Sequence, residues 1–537
     1  MTRPLPPNRL LTRDAIEDCI RVLETLCVDR SELAHVELEL RNRLMMAAGR
    51  VSRPGRTEQR LLSREVRRKE KREVVEADRA ILARAGIRKK RLEPVFITPE
   101  RPARAEAGGG TFQLGEGSVA APSAVFRADN PSEAGAPLEE DELPPLNVAR
   151  SCYVCKTRCQ WMHPFYDQMC AECGDFNFAK RSQTADLRGR VALISGARVK
   201  IGYQAAILLL RAGARVIVTT RFPRDAALRY SQEKDFDEFR DRLQIYGLDL
   251  RHTPSVEAFA EVLQRSESRL DFVLHNACQT VRRPTGFYQH LMERELVPLA
   301  ELPRAAAELL KDYEAMRFET ARQFGTGNDS SRPAIGLQAA PSLSQVALTI
   351  EDLEKGPELF PLGALDADLQ QVDRRGINSW RLPLDQVGTV ELLEVQLVNS
   401  IAPFLLNARL KSLMLRERTF DKHIVNVSAM EGQFYRRFKT DKHPHTNRAK
   451  AALNMMTRTS APDYARDGIF MNSVDTGWVT DEDPLHLAER KTAENGFHPP
   501  LDIVDGAARI VDPIFDGINS GRHVWGQFLK DYRPTAW

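Results

Sequence analysis

The sequence lacks the features that would place it in a membrane, a secreted scaffold or a nucleic-acid coat. No apolar run approaches the roughly 20 residues that span a bilayer. Residues 1–10 carry prolines and two arginines where a signal peptide would carry an apolar core, which predicts a soluble, cytoplasmic chain. A formal charge of +3 over 537 residues is too small for a globally basic surface, so any contact with nucleic acid has to be local. Of the eight cysteines, five crowd into 152–173 and only Cys19, Cys27 and Cys278 stand apart, which excludes a disulfide framework. No internal repeat is present, so a solenoid is excluded as well.

What the chain does contain is segmented. Residues 13–48 place Ile16, Ile20, Val22, Leu23 and Leu26, then Leu38, Leu40 and Leu44, at the spacings of an amphipathic helical hairpin. From 51 to 95 there are 15 Lys or Arg against 7 Asp or Glu, with peaks at Arg67-Arg68-Lys69 and Arg88-Lys89-Lys90-Arg91. Such a surplus fits a solvated charged helix or a surface for a protein or nucleic-acid partner. Residues 1–95 are therefore predicted as a helical, basic region. The next stretch holds Gly108-Gly109-Gly110, scattered Pro and Ser, the acidic run Glu139-Glu140-Asp141-Glu142 and few large apolar residues, which predicts a flexible linker over 96–149.

Cys152-x2-Cys155 and Cys170-x2-Cys173 are separated by 14 residues. Two such knuckles offer four thiolates that close a tetrahedron around one ion, so 150–182 is predicted as a small structural zinc module. Cys159 and His163 lie close enough in sequence for either to replace one of the four. Four sulfur ligands leave no open position, so the ion stabilises a fold and activates no water.

Ser195-Gly196-Ala197-Arg198-Val199-Lys200-Ile201-Gly202 sits between an apolar run at 191–194 and an amphipathic helical pattern at 203–211, with a second apolar run at 215–219. This is the place of a nucleotide-binding turn. Glycines let the backbone turn tightly from strand to helix, and the exposed N–H groups of the helix start then face a pyrophosphate.

That turn, then His275-Asn276-Ala277-Cys278, Asn399, Val425-Asn426-Val427-Ser428 and Lys450-Ala451-Ala452-Leu453, resembles in order and strand context the motif series of the short-chain dehydrogenase/reductase family. The resemblance covers about 186–290 and 380–537. It implies an α/β fold, a Rossmann-type doubly wound parallel sheet over 186–537, that binds NADP or NAD and transfers hydride. By it, Ser195, Gly196, Arg198, Ile201 and Gly202 belong to the coenzyme turn, whose middle glycine is Lys200 here. Arg221 stands after the second strand, where an NAD-preferring protein places an acid on the ribose 2′-hydroxyl. Lys200 and Arg221 together therefore favour NADP, with NAD the second choice. Asp249 matches the acid near the adenine, Asn276 and Ala277 the pair that braces the central strand, and Thr476 and Gly477 the turn that meets the carboxamide. Asn399 matches the helix asparagine of the proton relay, and Lys450 the lysine that holds the nicotinamide ribose. Asn276 and Asn399 lie 123 residues apart, which implies an inserted segment at about 285–385, placed as a lid, a partner surface or a packed excursion.

The pattern breaks at proton transfer. The family tyrosine four residues before the lysine is Thr446, and a threonine hydroxyl is far too weak an acid to replace a phenol that ionises near about 10. Ala429 falls at the usual catalytic serine and Ser428 one residue earlier, on the other side of the strand by alternation. His445, or else His443 or Tyr435, is left to supply the acid, since a histidine titrates near neutrality. Two functions follow: a divergent NADP-dependent oxidoreductase acting on a carbonyl or alcohol, or a nucleotide-binding sensor or scaffold whose zinc module and basic arm engage a protein or nucleic acid. Oligomerisation is left open.

Overall fold

The computed structural model describes residues 12–100, 143–324, 335–354, 356–435 and 439–537, so 101–142, most of the expected linker, lies outside the described residues. The chain divides into two compact units, Met1–Ala77 and Asp78–Trp537. The first contains the expected hairpin as helices Arg13–Val28 and Leu38–Ser52, followed by most of the helix Arg56–Ala83. Its cationic peak is exposed and only lightly paired, Arg68 to Glu65 at 2.6 Å and Lys69 to Glu73 at 3.7 Å.

The division falls at 77 and not at 95, because the end of that helix and the residues after it are built into the second unit. Asp78 accepts the backbone N–H groups of Asn147 and Val148, and Leu82 and Ala85 bury against Leu143, Leu146 and Met162. The second cationic peak is structural: Arg88 pairs with Asp167 at 2.6 Å, and Arg91 donates to the carbonyls of Pro499 and Leu501 at 2.8 Å. The described ends of the linker are also fixed. Phe96 N–H reaches the Ala367 carbonyl at 2.7 Å, and Arg211 holds the Pro99 carbonyl at 2.8 Å.

Two short strands, β1 (Arg150–Ser151) and β2 (Arg158–Cys159), pair antiparallel in the cysteine-rich segment, which continues into the helix Ala171–Arg181. The large sheet comprises β3 (Val191–Ser195), β4 (Arg215–Thr220), β5 (Leu243–Gly247), β6 (Phe272–His275), β7 (Lys422–Ser428), β8 (Ile469–Asp475), β9 (Phe528–Lys530) and β10 (Arg533–Thr535). Its order is β10-β9-β8-β7-β6-β3-β4-β5, parallel throughout except for the terminal β9–β10 hairpin. Strands such as Val191-Ala-Leu-Ile-Ser195 are buried along their whole length, as parallel strands covered on both faces require. The order reverses between β3 and β6, and the carboxyl ends of these two strands frame the crevice where doubly wound sheets take ligands.

The inserted segment runs from the helix Thr285–Leu296 to the start of the helix Thr389–Gln396. Part of it wraps the β5 edge: Tyr313 lies against Gly247 and donates to the Leu337 carbonyl at 2.7 Å. The continuous helical stretch Thr389–Met414 has the length and apolarity to cross a membrane, a span not anticipated from the sequence. It carries the buried polar residues Glu394, Asn399 and Asn407, each hydrogen-bonded within the second unit.

Candidate functional site

The turn after β3 is held by a three-way contact. Gly196 takes φ +69°, and a Cβ there would lie 2.7 Å from Ala277 Cα. A Cβ on Gly202 would lie 2.3 Å from Asn276 Nδ2 and 2.5 Å from the Gly196 carbonyl. Only glycine fits at that crossing, and Asn276 uses the closeness by donating to the Gly196 carbonyl at 2.9 Å. Ser195 Oγ accepts from Ala277 N–H at 3.2 Å, joining the ends of β3 and β6. Lys200 adopts φ +57°, the left-handed conformation that a glycine supplies easily.

The helix Lys200–Arg211 begins with Val199 as its N-cap, which offers no side-chain acceptor. Its first N–H groups are therefore free to bind an anion. These features fit a phosphate-bearing coenzyme: a glycine cradle, uncapped amides and a positive helix end.

The cations around the turn differ in their engagement. Arg198 is buried and paired with Asp225 at 2.7 Å, so it is held by the protein and not presented to a phosphate. Lys200 stands 4.0 Å from Asp368 of the inserted segment, a loose pair. Arg221 donates to Tyr288 Oη at 2.7 Å and lies 4.6 Å over that ring. Asp249 is buried and held by Arg251 at 2.7 Å. Burial raises the Asp249 carboxyl, but Arg251 and then Arg221 outweigh it and hold it below the usual range.

Asn399 lies in a π-helical turn, Leu397–Ile401, between two α-helices. Such turns recur at functional sites because they displace a carbonyl from the helical ladder. Its amide clasps Gln279, accepting from the backbone N–H at 2.7 Å and donating to the carbonyl at 3.1 Å. Gln279 in turn meets Glu394, which also takes Arg251 and Arg282, and Arg282 forks onto Asp352 at 2.6 and 2.7 Å. The inserted segment is thereby bolted to the helix of Asn399 by buried, charge-assisted bonds. The described part is a packed excursion that Gln279, Glu394 and Arg282 could not have announced from sequence, since their partners lie up to 143 residues away.

The helix Pro444–Arg466 carries Lys450, whose Nζ donates to the Val427 carbonyl of β7 at 2.7 Å. Thr446 lies one turn earlier on nearly the same side. At about 100° per residue, His445 projects some 140° away from Lys450. It meets Glu391 at 3.6 Å, so the two functional candidates face different neighbours. His443 begins the helix at φ +43° and stacks on Trp380 at 3.9 Å. Tyr435 is 89% exposed and belongs to no buried cluster. Ser428 shares its side of β7 with Asn426, which donates to Thr457 of the Lys450 helix at 2.9 Å. The sequence had set Ser428 facing away from the site; the structure puts it on the face that this helix covers.

The corner is short of partners. Among the described residues, Ser428 Oγ, Thr446 Oγ1, His443 Nδ1 and His445 Nδ1 are buried with no hydrogen-bond partner, while His445 Nε2 and Glu391 Oε1 face each other at 3.6 Å, too far apart for a hydrogen bond. Buried polar atoms without partners cost about 1–3 kcal/mol each, and a cluster of them marks a place built for another molecule.

The four knuckle sulfurs of Cys152, Cys155, Cys170 and Cys173 lie within 4.8 Å of one another, with Cys155 to Cys170 at 3.9 Å. Zinc–sulfur bonds of about 2.3 Å require sulfur separations near about 3.8 Å in a tetrahedron, so the set fits the ion. Cys159 instead donates to the Arg150 carbonyl at 3.7 Å. His163 accepts from Phe165 N–H at 3.0 Å and faces Asp175. Neither replaces a knuckle sulfur.

Thr476 and Gly477 follow β8, and Trp478 N–H donates to the hydroxyl of Tyr153, a residue of the first knuckle, at 3.0 Å. Nothing in the sequence connected Tyr153 to this turn.

A family profile described as short chain dehydrogenase matches residues 190–302. An uncharacterized protein of Acanthamoeba polyphaga mimivirus is 29% identical over 398 residues, covering 71% of this chain and 74% of that protein. Dehydrogenase/reductase SDR family member 13 of Bos taurus is 39% identical over 107 residues, spanning 19% of this chain and 27% of that protein. Among solved structures, a short-chain dehydrogenase/reductase of Burkholderia multivorans with bound NADP is similar at TM-score 0.37 and 17% identity, covering 65% of this chain and 99% of that one.

Proposed function

Because the Rossmann domain of this chain belongs to the short-chain dehydrogenase/reductase family, we propose that it is an NADP-dependent oxidoreductase acting on a carbonyl or alcohol, with a structural zinc module. The interlock of Gly196, Gly202 and Asn276 supports the coenzyme site most strongly, since it sets a helix start whose N-cap, Val199, offers no side-chain acceptor. Arg221 and Lys200 are the cations for the 2′-phosphate. Arg198, paired with Asp225, serves to shape the loop. Ser195, Ile201, Asp249, Ala277, Thr476 and Gly477 line the remainder.

When bound, the coenzyme supplies the hydride. The chain's own residues then fix the nicotinamide ribose through Lys450, order a water through Asn399 and supply a proton from the orphaned corner. His445, which meets Glu391 at 3.6 Å on a different side of the helix from Lys450, is the first candidate acid, and Thr446 and Ser428 are the candidate hydrogen-bonding groups on the Lys450 side. The test is NADPH oxidation against a panel of carbonyl compounds. Turnover that disappears in His445→Ala while NADPH affinity stays near normal supports the assignment, and unchanged turnover removes His445. Tight nucleotide binding without oxidation of any carbonyl replaces the oxidoreductase by a nucleotide-binding sensor.

A further inference from the structure

The first cysteine knuckle reaches past its own metal position. Tyr153 lies between Cys152 and Cys155, at the tip of the hairpin formed by β1 and β2. The knuckle fold fixes its backbone: Tyr153 N–H donates to the Gln168 carbonyl at 2.7 Å and Cys152 N–H to the Thr157 carbonyl at 2.9 Å. From there its hydroxyl accepts the Trp478 N–H at 3.0 Å and stands 3.1 Å from the point where a Cβ on Gly477 would lie. Gly477 itself takes φ +77°, a conformation that glycine adopts without strain, and a side chain there would also meet the Tyr153 hydroxyl.

The same phenol joins a wider polar group. The Lys530 ammonium lies 5.6 Å from the Tyr153 ring and donates to Asp475 at 3.1 Å. The other Asp475 oxygen accepts from Met430 N–H at 3.2 Å, just past the end of β7. Knuckle, β7 terminus and β8 terminus therefore meet at one cluster. Elsewhere the module is fastened to the helix Ile503–Ser520 and its cap by Arg181, which forks onto Asp502 at 2.7 and 2.9 Å, and by the Tyr166 hydroxyl on Asp505. Those contacts hold the module in place, and Tyr153 is its one hydrogen bond to the turn 476–478 among the described residues.

We propose that Tyr153 is a positioning residue for the turn 476–478, and that zinc occupancy of Cys152, Cys155, Cys170 and Cys173 thereby sets the affinity of the coenzyme site. This rests on the reading that the turn borders a bound coenzyme. A structural zinc site of this size is folded by its metal. Losing the ion loosens the knuckle, withdraws the phenol and leaves the Trp478 N–H, on an exposed residue, to solvent. The occupants that act on the switch are a chelator or a thiol oxidant, and the site that responds lies on another element.

The experiment uses the full chain, with zinc content, amide exchange and NADPH titration measured side by side. Tyr153→Phe keeps one equivalent of zinc, speeds exchange at Trp478 about 2- to 12-fold and weakens NADPH binding by a similar factor, as loss of one net hydrogen bond would. Zinc-stripped wild type shows at least the same two changes. Unchanged Trp478 protection in Tyr153→Phe, or NADPH affinity that survives zinc removal, overturns the coupling. Wild-type protein that binds no NADPH removes the coenzyme reading instead, and Trp478 exchange still decides whether Tyr153 fixes the turn.

Discussion

The coenzyme turn and the proton-transfer corner lie at neighbouring strand ends and are built in opposite ways. Around the turn, polar side chains are matched: Asn276 on Gly196, Ser195 on Ala277, Arg198 on Asp225, Arg221 on Tyr288. Around the corner, among the described residues, buried polar atoms of Ser428, His443, His445 and Thr446 have no hydrogen-bond partner, and His445 meets Glu391 only at 3.6 Å. On the proposed reading, the first region takes its ligand through backbone amides that need no side-chain freedom. The second keeps its side chains unsatisfied, which is tolerable only where a substrate or water completes the set.

The strongest way to sharpen that contrast is to refill the corner. Thr446→Tyr restores a phenol four residues before Lys450, and a positioned acid contributes about 10²- to 10⁴-fold, so NADPH oxidation should rise by at least the lower figure. No gain, in a variant that binds NADPH normally, means that the corner has been rebuilt around something other than the phenol.

Next in size is the glycine crossing. Gly202→Ala places a Cβ 2.3 Å from Asn276 Nδ2 and costs about 1–3 kcal/mol of stability. Because the crossing also sets the amides, NADPH affinity should fall about 100-fold, equal to about 2.7 kcal/mol. Thr446→Ala, by contrast, should leave affinity within about threefold. Calorimetry on the two variants checks the asymmetry, and equal losses would erase the distinction between the regions.

A smaller effect is expected at Arg221. A hydrogen bond to a charged group contributes about 1.5–3 kcal/mol, so Arg221→Asp should weaken NADPH about 10- to 100-fold and leave NADH unchanged or tighter. Parallel loss of both nucleotides would mean that Arg221 supports the fold through Tyr288 and does not select the phosphate.

The last effect is on stability and not on binding: a pH dependence at His275, the final residue of β6, next to Asn276. Burial holds the His275 imidazole at about 4, against an ordinary value near 6.5, although its hydrogen bond with Asn407 opposes the shift. Its folded value is depressed, so its contribution to stability is intact above 6.5 and is lost as pH falls through 6.5 toward 4. The loss is roughly 3 kcal/mol. Denaturation of wild type and His275→Gln should converge over that window, and parallel curves would contradict it.

The turn, the sheet and the clustering of the four knuckle cysteines were legible because each depends on local spacing: glycines at a crossing, apolar runs at βαβ distance, cysteine pairs two apart. The boundary at 77 was not, since a charge run looks the same whether Arg67 faces water or Arg88 faces Asp167. The sequence also could not tell that Arg198 has a buried partner, that His445 meets Glu391, or that Tyr153 reaches Trp478. Each of these depends on a contact across a long stretch of chain. The role of Ser428 turned on which face of β7 a neighbouring helix covers, a tertiary fact that strand alternation leaves undecided.

Titration of NADPH into the folded, zinc-loaded chain by calorimetry tests the central claim most directly. A dissociation constant near about 1 μM, roughly −8 kcal/mol, is predicted, with NADH weaker. Absence of heat from either nucleotide at millimolar concentration would contradict the coenzyme site and everything placed around it.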